Sequence, residues 1–328
     1  MEQQRIVFLD RNAIRVPLRR PDVPHEWREY PHTPPELVVS RLEGAGGGSS
    51  ATIAITNRVA IDAAILDAVP SLRLVAVSAT GYEHVDVRAC QADGVSVCNV
   101  RDWAVSVPEH VVALALALRR QLPAYREAVA GGAWERSPTY GVLLDPPPRT
   151  LAGSTMGLIG YGTLGRRVAE LARSFAMRVL IAERKGAHEM REGRTAFEEV
   201  LAHSGVLAIL CPLSDETRGL IGAAELARMP RDALLINCAR GGIVDEAALA
   251  AALVEGTIGG AGVDVLAEEP PRQGSPLLTL RLPTLIVTPH TAWASVASME
   301  NLAEQLIGNF EAYVAGAGRN MVSDGQTS

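Results

Sequence analysis

The sequence predicts an α/β protein of two Rossmann/flavodoxin-like, doubly wound parallel-sheet domains with a cleft between them, and three observations predict it. Short apolar runs alternate with stretches of helical spacing along almost the whole chain. One strand-turn-helix-strand stretch, residues 156–185, carries the glycine pattern Gly160-x-Gly162-x-x-Gly165. The 328 residues suffice for two domains of ordinary size, each with its own core.

Residues 6–9 read as the first strand, followed by a proline-rich segment containing Pro21, Pro24, Pro31, Pro34 and Pro35. Alternation resumes with a strand at 52–56, a helix at 61–69, a strand at 72–77, a short helix at 85–91 and a strand at 95–100. Residues 44–50, GAGGGSS, read as a surface loop, because no Lys-Ser/Thr pair follows the glycines as a phosphate cradle requires. The turn 78–84, SATGYEH, follows a strand, where α/β sheets place ligand-binding loops. A nearly all-apolar helix at 106–122 separates this unit from the glycine motif and marks the domain boundary, and Pro138, Pro146, Pro147 and Pro148 predict an irregular loop after it. Beyond the motif, strands at 206–210, 233–237, 260–263 and 285–287 alternate with helices near 223–229 and 245–255, and a last helix spans about 295–314.

Within the motif, an apolar strand runs into the glycines, Val168, Leu171, Ala172 and Phe175 recur at helical spacing, and a second strand covers 178–182. Gly160 permits the tight turn, Gly162 lets backbone amides approach a pyrophosphate, and Gly165 lets the helix pack on the strand with its positive end toward the phosphates. Glu183, at the end of the second strand, can accept both ribose hydroxyls of a dinucleotide. Arg184 and Lys185 directly behind it could instead attract a ribose phosphate.

Hydrophobic residues make up 48% and charged residues 21%, with net charge -6, a balance that excludes a disordered chain or a basic nucleic-acid surface. The start of the chain lacks the basic-then-apolar pattern of a signal peptide, and no run approaches the ~18 apolar residues of a membrane span, so a cytoplasmic location is expected. Cys90, Cys98, Cys211 and Cys238 form no CxxC pair, which predicts free buried thiols rather than a disulfide framework or a metal site.

Three polar residues fall at or just after strand ends of the second half: Arg240, Glu269 and His290. A guanidinium suits a substrate carboxylate, and a histidine paired with a carboxylate can hold and deliver a proton near neutral pH, a set that fits hydride transfer to a 2-keto acid. Taken singly, each has a plainer reading, since a lone Arg is usually a surface ion pair and a lone His a satisfied structural residue. Asp264 equally suits a turn cap.

The segments GLIGYGTLG, CPLSDETRGLI, LLINCARGGIVDEAAL, AGVDVLAEEPP and VTPHTAWAS, in that order over nearly the whole chain, resemble the D-isomer-specific 2-hydroxyacid dehydrogenase family. ATGYEHVD, VCNVR and HTAWAS look most like its glycerate dehydrogenases, also called hydroxypyruvate reductases. The resemblance implies an NAD(P)-dependent enzyme reducing a small 2-keto acid such as hydroxypyruvate or glyoxylate, and the charge of Glu183 set against Arg184 and Lys185 predicts that NADH is preferred and NADPH accepted. It implies Arg240 as the binder of carboxylate and carbonyl oxygen, His290 as acid/base with Glu269 orienting it, Thr80 and Gly81 as holders of the substrate carboxylate, and Trp293 as a pocket wall or a structural residue. For the cofactor it implies the amides of Thr163 and Leu164 on the pyrophosphate beside Gly160, Gly162 and Gly165, and Glu183 with Arg184 at the ribose. Cys211, Pro212 and Thr217 would lie along the adenosine side and Asp264 near the nicotinamide amide, with Cys238, Ala239 and His290 also at the cofactor. It further implies a discontinuous substrate-binding domain, residues 1–104 plus 292–328, around an NAD(P)-binding domain, 105–291, and a homodimer formed through the latter. Two other readings stand beside this one: an NADH-sensing, corepressor-like binding protein, and a phosphite dehydrogenase using the same three residues. Formate dehydrogenases of the family carry Gln at the Glu269 position, so the carboxylate argues against that activity.

Overall fold

A computed structural model of the chain describes residues 3–44, 48–101, 103 and 105–323. The chain divides into two compact units, one formed by Met1–Trp103 with Ser295–Ser328, the other by Ala104–Ala294.

In the first unit, β1 (Gln4–Phe8), β2 (His25–Glu29), α1 (Val38–Glu43), β3 (Ile53–Thr56), α2 (Ala63–Ala68), β4 (Leu74–Val77), α3 (Val87–Ala92) and β5 (Ser96–Cys98) build a parallel five-stranded sheet in the order β2-β1-β3-β4-β5. The order reverses between β1 and β3, so loops after these strands splay apart there. β3 and β4 are buried throughout, as a parallel sheet covered on both faces requires. Asp62 and Asp86 cap the short helices by accepting from Ile65 N at 3.0 Å and Ala89 N at 2.9 Å. β2, hidden among prolines and polar except for Trp27, was not apparent from periodicity; it is an edge strand, paired on one side only with β1, so it needs no continuous apolar face. Within GAGGGSS, residues 45–47 lie outside the described residues, while Gly44 ends α1 in the left-handed conformation with φ 89°.

In the second unit, α4 (Ser106–Arg119) and α5 (Leu122–Ala130) precede β6 (Thr155–Ile159), α6 (Thr163–Ser174), β7 (Arg178–Ile181), α7 (Phe197–His203), β8 (Val206–Ile209), α8 (Ala223–Leu226), β9 (Leu234–Asn237), α9 (Glu246–Glu255), β10 (Gly260–Val263), α10 (Pro276–Thr279) and β11 (Leu285–Val287). The six-stranded parallel sheet runs β11-β10-β9-β8-β6-β7, with its switch point between β6 and β8. Alternate residues of β8 face opposite cores: Val206 and Ala208 pack with Val111, Leu114 and Leu118 of α4, whereas Leu207 and Ile209 pack with Leu249 and Leu253 of α9.

The single helix expected at 106–122 is in fact two. α4 stops at Arg119, Gln121 takes the left-handed φ of 53°, and α5 restarts with Pro123 in its first turn. Pro123 has no N–H to donate and its ring would strike a carbonyl of the preceding turn, so a continuous helix cannot pass through it. The helix expected near 223–229 is shorter, ending at Leu226 ahead of Pro230.

α11 (Val296–Val314), capped by Ser295 Oγ accepting from Ser298 N at 3.1 Å, belongs to the first unit. It buries Leu302, Leu306, Ile307 and Phe310, and Asn309 Nδ2 donates to Asn99 O at 2.8 Å beyond β5. Among the described residues, no helix is long and apolar enough to cross a membrane.

Candidate active site

The glycine loop has the shape its sequence demands. Gly160 sits at φ 99°, and a Cβ there would lie 2.5 Å from Cys211 N, so the turn passes directly against the loop after β8. A Cβ on Gly165 would lie 2.4 Å from Gly160 O, the close approach of α6 to the end of β6. At Gly162 a Cβ would meet nothing within 4 Å, and Gly162 N-caps the twelve-residue α6 without a side-chain hydrogen bond. The first-turn amides, those of Thr163 and Leu164 among them, therefore face open space with the helix dipole behind them, which fits a dinucleotide pyrophosphate.

Glu183 lies two residues beyond β7 and is buried, with both oxygens engaged by Arg191 and by the amide of Arg184. The Arg191 guanidinium, followed by these amides, pulls its carboxyl down to about 2. Lys185 does not turn toward Glu183; it pairs with Glu225 at 2.9 Å. In the loop after β8, Thr217 Oγ1 donates to Pro212 O at 2.8 Å and accepts from Ser214 N at 2.7 Å, which fastens the segment carrying Cys211 and Pro212. Burial pushes the Cys211 thiol up to about 11 and raises that of Cys238 as well, so both stay protonated.

Arg240 is carried by the turn after β9. Asn237 ties that turn, accepting from Ala239 N at 3.1 Å and donating to Arg240 O at 3.1 Å, while Arg240 Nη1 donates to Ala239 O at 2.9 Å. The next residue, Gly241, lies so close to the loop after β10 that a Cβ would fall 1.8 Å from Leu266 O. The backbone carrying Arg240 is thereby set against the segment that carries Glu269.

Asp264 is buried just past β10 and accepts from Thr288 Oγ1 at 2.5 Å, Thr291 N at 2.9 Å and Ala292 N at 2.9 Å. His110 of α4 completes the chain, its Nε2 lying 3.0 Å from Thr288 Oγ1. Asp264 thus caps the turn 288–292. That turn presents His290, whose φ of 52° is costly for a residue with a Cβ, and the His290 amide is held by Asp264 O at 2.8 Å and Thr288 O at 3.0 Å. His290 Nδ1 lies 2.6 Å from Glu269 Oε2, and Glu269 Oε1 accepts from Leu266 N at 2.9 Å. With Nδ1 committed to the carboxylate, the proton that the ring can deliver is the one on Nε2.

Residues 112–292, more than half of the chain, match the family profile described as "D-isomer specific 2-hydroxyacid dehydrogenase, NAD binding domain". The chain belongs to this family. It is 46% identical over 97% of its length to a glycerate dehydrogenase of Methylorubrum extorquens, of which it covers 99%, and 32% identical over 88% to a hydroxypyruvate reductase of Blautia hydrogenotrophica, of which it covers 88%. Among solved structures it resembles an NADPH-dependent glyoxylate/hydroxypyruvate reductase of Sinorhizobium meliloti, at 28% identity, with 97% of each chain covered and a TM-score of 0.79.

This 2-hydroxyacid dehydrogenase thus brings Arg240, Asp264, Glu269 and His290 onto the strand ends of one sheet, together with the glycine loop and Glu183. Trp293 follows in the same loop as His290 and is partly buried. Thr80 and Gly81 belong to the other unit, on the turn after β4, where Asn99 Nδ2 donates to Thr80 O at 2.7 Å and Val100 N to Ala79 O at 3.1 Å. The bonds that fix this turn use its carbonyls. Three residues bearing on the site escaped the sequence reading: Arg191, Thr288 and His110. Thr288 is the second residue of the VTPHTAWAS pattern and could have been drawn from it; Arg191, eight residues past Glu183 in an irregular loop, had no spacing to betray it.

Proposed function

We propose that the protein reduces a small 2-keto acid, hydroxypyruvate or glyoxylate, to the D-2-hydroxy acid, with NADH as the preferred cofactor and NADPH accepted. The observation that carries this reading is the 2.6 Å contact of His290 Nδ1 with Glu269 in a unit that also holds a dinucleotide-shaped glycine loop and Arg240. When bound, the dinucleotide supplies the hydride. The amides of Thr163 and Leu164 receive its pyrophosphate, Glu183 serves the ribose, and Cys211, Pro212 and Thr217 flank the adenosine side. Cys238, Ala239 and Asp264 are assigned to the nicotinamide side.

The remaining chemistry is proton delivery and substrate orientation. The Arg240 fork binds the substrate carboxylate and carbonyl oxygen together, which orients the keto group and stabilises charge developing on its oxygen. Imidazolium at His290 gives its Nε2 proton to that oxygen, and Glu269 holds the ring and offsets its charge. We assign the Thr80 and Gly81 amides to the substrate carboxylate and Trp293 to the pocket wall by family likeness.

A homodimer through the nucleotide-binding unit is also proposed, because Tyr140 at 99%, Leu143 at 88% and Trp134 at 58% exposure leave large apolar side chains in water on the segment after α5. A cytoplasmic setting is inferred, which the four free cysteines suit. The deciding experiment is a panel of 2-keto acids followed by loss of NADH absorbance. Turnover of hydroxypyruvate or glyoxylate is expected, and absence of turnover on every member of the panel would overturn the reading.

A further inference from the structure

The carboxylate that should choose the cofactor is already saturated. Glu183 Oε1 accepts from Arg184 N at 2.8 Å and Arg191 Nη2 at 2.5 Å, and Oε2 accepts from Arg191 Nε at 2.7 Å and Arg191 N at 3.2 Å. Four N–H groups use the four acceptor positions of a carboxylate. The two ribose hydroxyls of NADH can reach Glu183 only by taking positions that the guanidinium now holds.

Exposure shows which partner faces outward. The Glu183 side chain is 3% exposed and that of Arg191 59%, so the acid lies beneath the base and the surface presented at the end of β7 is guanidinium. Only two of the five guanidinium N–H groups are spent on Glu183, which leaves a planar fork of the kind that recognises phosphate. A second guanidinium stands close by: Arg194 lies 5.4 Å from the ring centre of Tyr161, the residue between Gly160 and Gly162, and its Nη1 donates to Ala182 O at 3.1 Å. Lys185, expected to attract a ribose phosphate, is occupied with Glu225.

We propose that Arg191 is a cofactor-specificity residue: paired with Glu183, it neutralises the acid and receives the 2′-phosphate of NADPH, and swung away, it releases Glu183 to the ribose hydroxyls of NADH. The proposal rests on the dinucleotide-binding reading of this unit. It explains how a site with a strand-end glutamate accepts NADPH, since the repulsion expected from a bare carboxylate is cancelled at its source. Because Glu183 remains ionised down to about pH 2, the pair is present at every working pH.

The test is direct titration of each reduced cofactor by its nicotinamide fluorescence, without substrate, on the wild type, Arg191→Ala and Arg191→Lys. Arg191→Ala should weaken NADPH at least tenfold while NADH binds as well as before or more tightly, moving the ratio of the two Kd values at least tenfold toward NADH. Arg191→Lys, which keeps the charge and loses the fork, should fall between. If Arg191→Ala binds both cofactors with the wild-type ratio, the assignment to Arg191 is overturned while the dinucleotide site stands. If the wild type binds neither cofactor, both fall.

Discussion

Glu269 Oε2 stands 2.6 Å from Nδ1 of His290, and the other oxygen of the same carboxylate is held by the Leu266 amide at 2.9 Å. The glutamate is thus fixed by its own loop before it fixes the histidine. Removing the ring should cost the general-acid contribution: His290→Gln is expected to lose about 10²–10⁴ in steady-state kcat for the best 2-keto acid. Glu269→Gln keeps an acceptor near Nδ1 but removes the anion that offsets the imidazolium charge, so it should lower kcat while leaving Tm unchanged. A wild-type kcat in Glu269→Gln would remove Glu269 from the proton-delivery role.

Arg240 tests the substrate clamp. An ammonium keeps the charge and loses the bidentate fork, so Arg240→Lys should lower kcat/KM for the best 2-keto acid by about 10²-fold or more. Near-normal kcat/KM in this variant would show that the fork is not needed.

Gly241 couples two loops by contact alone. Gly241→Ala would set a Cβ 1.8 Å from Leu266 O, and because both partners are backbone, the loops must part. An overpacking cost of about 1–3 kcal/mol is expected, read as a lower Tm, together with loss of activity larger than for alanine at an exposed position of the same unit. An unchanged Tm and kcat/KM would show that the loops can separate without consequence.

His84 carries a pH effect on stability. Burial, aided by nearby Arg58, lowers it to about 4 from an ordinary 6.5, and among the described residues neither ring nitrogen has a hydrogen-bond partner. The unfolded chain takes a proton that the folded chain refuses, so stability is full above pH 6.5 and declines between 6.5 and about 4, by at most about 1.4 kcal/mol per pH unit. Denaturant midpoints at pH 7.5 and 4.5 check this: His84→Leu should show a smaller acid-side drop than the wild type, and an equal drop would assign the pH dependence to other groups.

Much of this molecule was legible because it is local. Strand-to-helix alternation follows from side-chain period within a few residues, and Gly160, Gly162 and Gly165 announce a turn whose demands are backbone geometry at those three positions. Arg240, Glu269 and His290 could be singled out because they follow strands, and parallel sheets gather such residues at one end. The edge strand β2 escaped because an edge needs no apolar face, and the break at Gln121 because Leu122 falls four residues after Leu118, so that Arg119, Arg120 and Gln121 also suit the exposed face of a continuing helix. The strand orders, the fastening of Asp264 to the histidine turn, and the capture of Glu183 by Arg191 belong to the tertiary structure alone. A hydrogen bond across an irregular loop or between separate strand ends depends on where the backbone returns in space, and periodicity carries no record of that. Sequence by itself therefore named the chemistry of the site, and tertiary structure decided which of its charges are already spent.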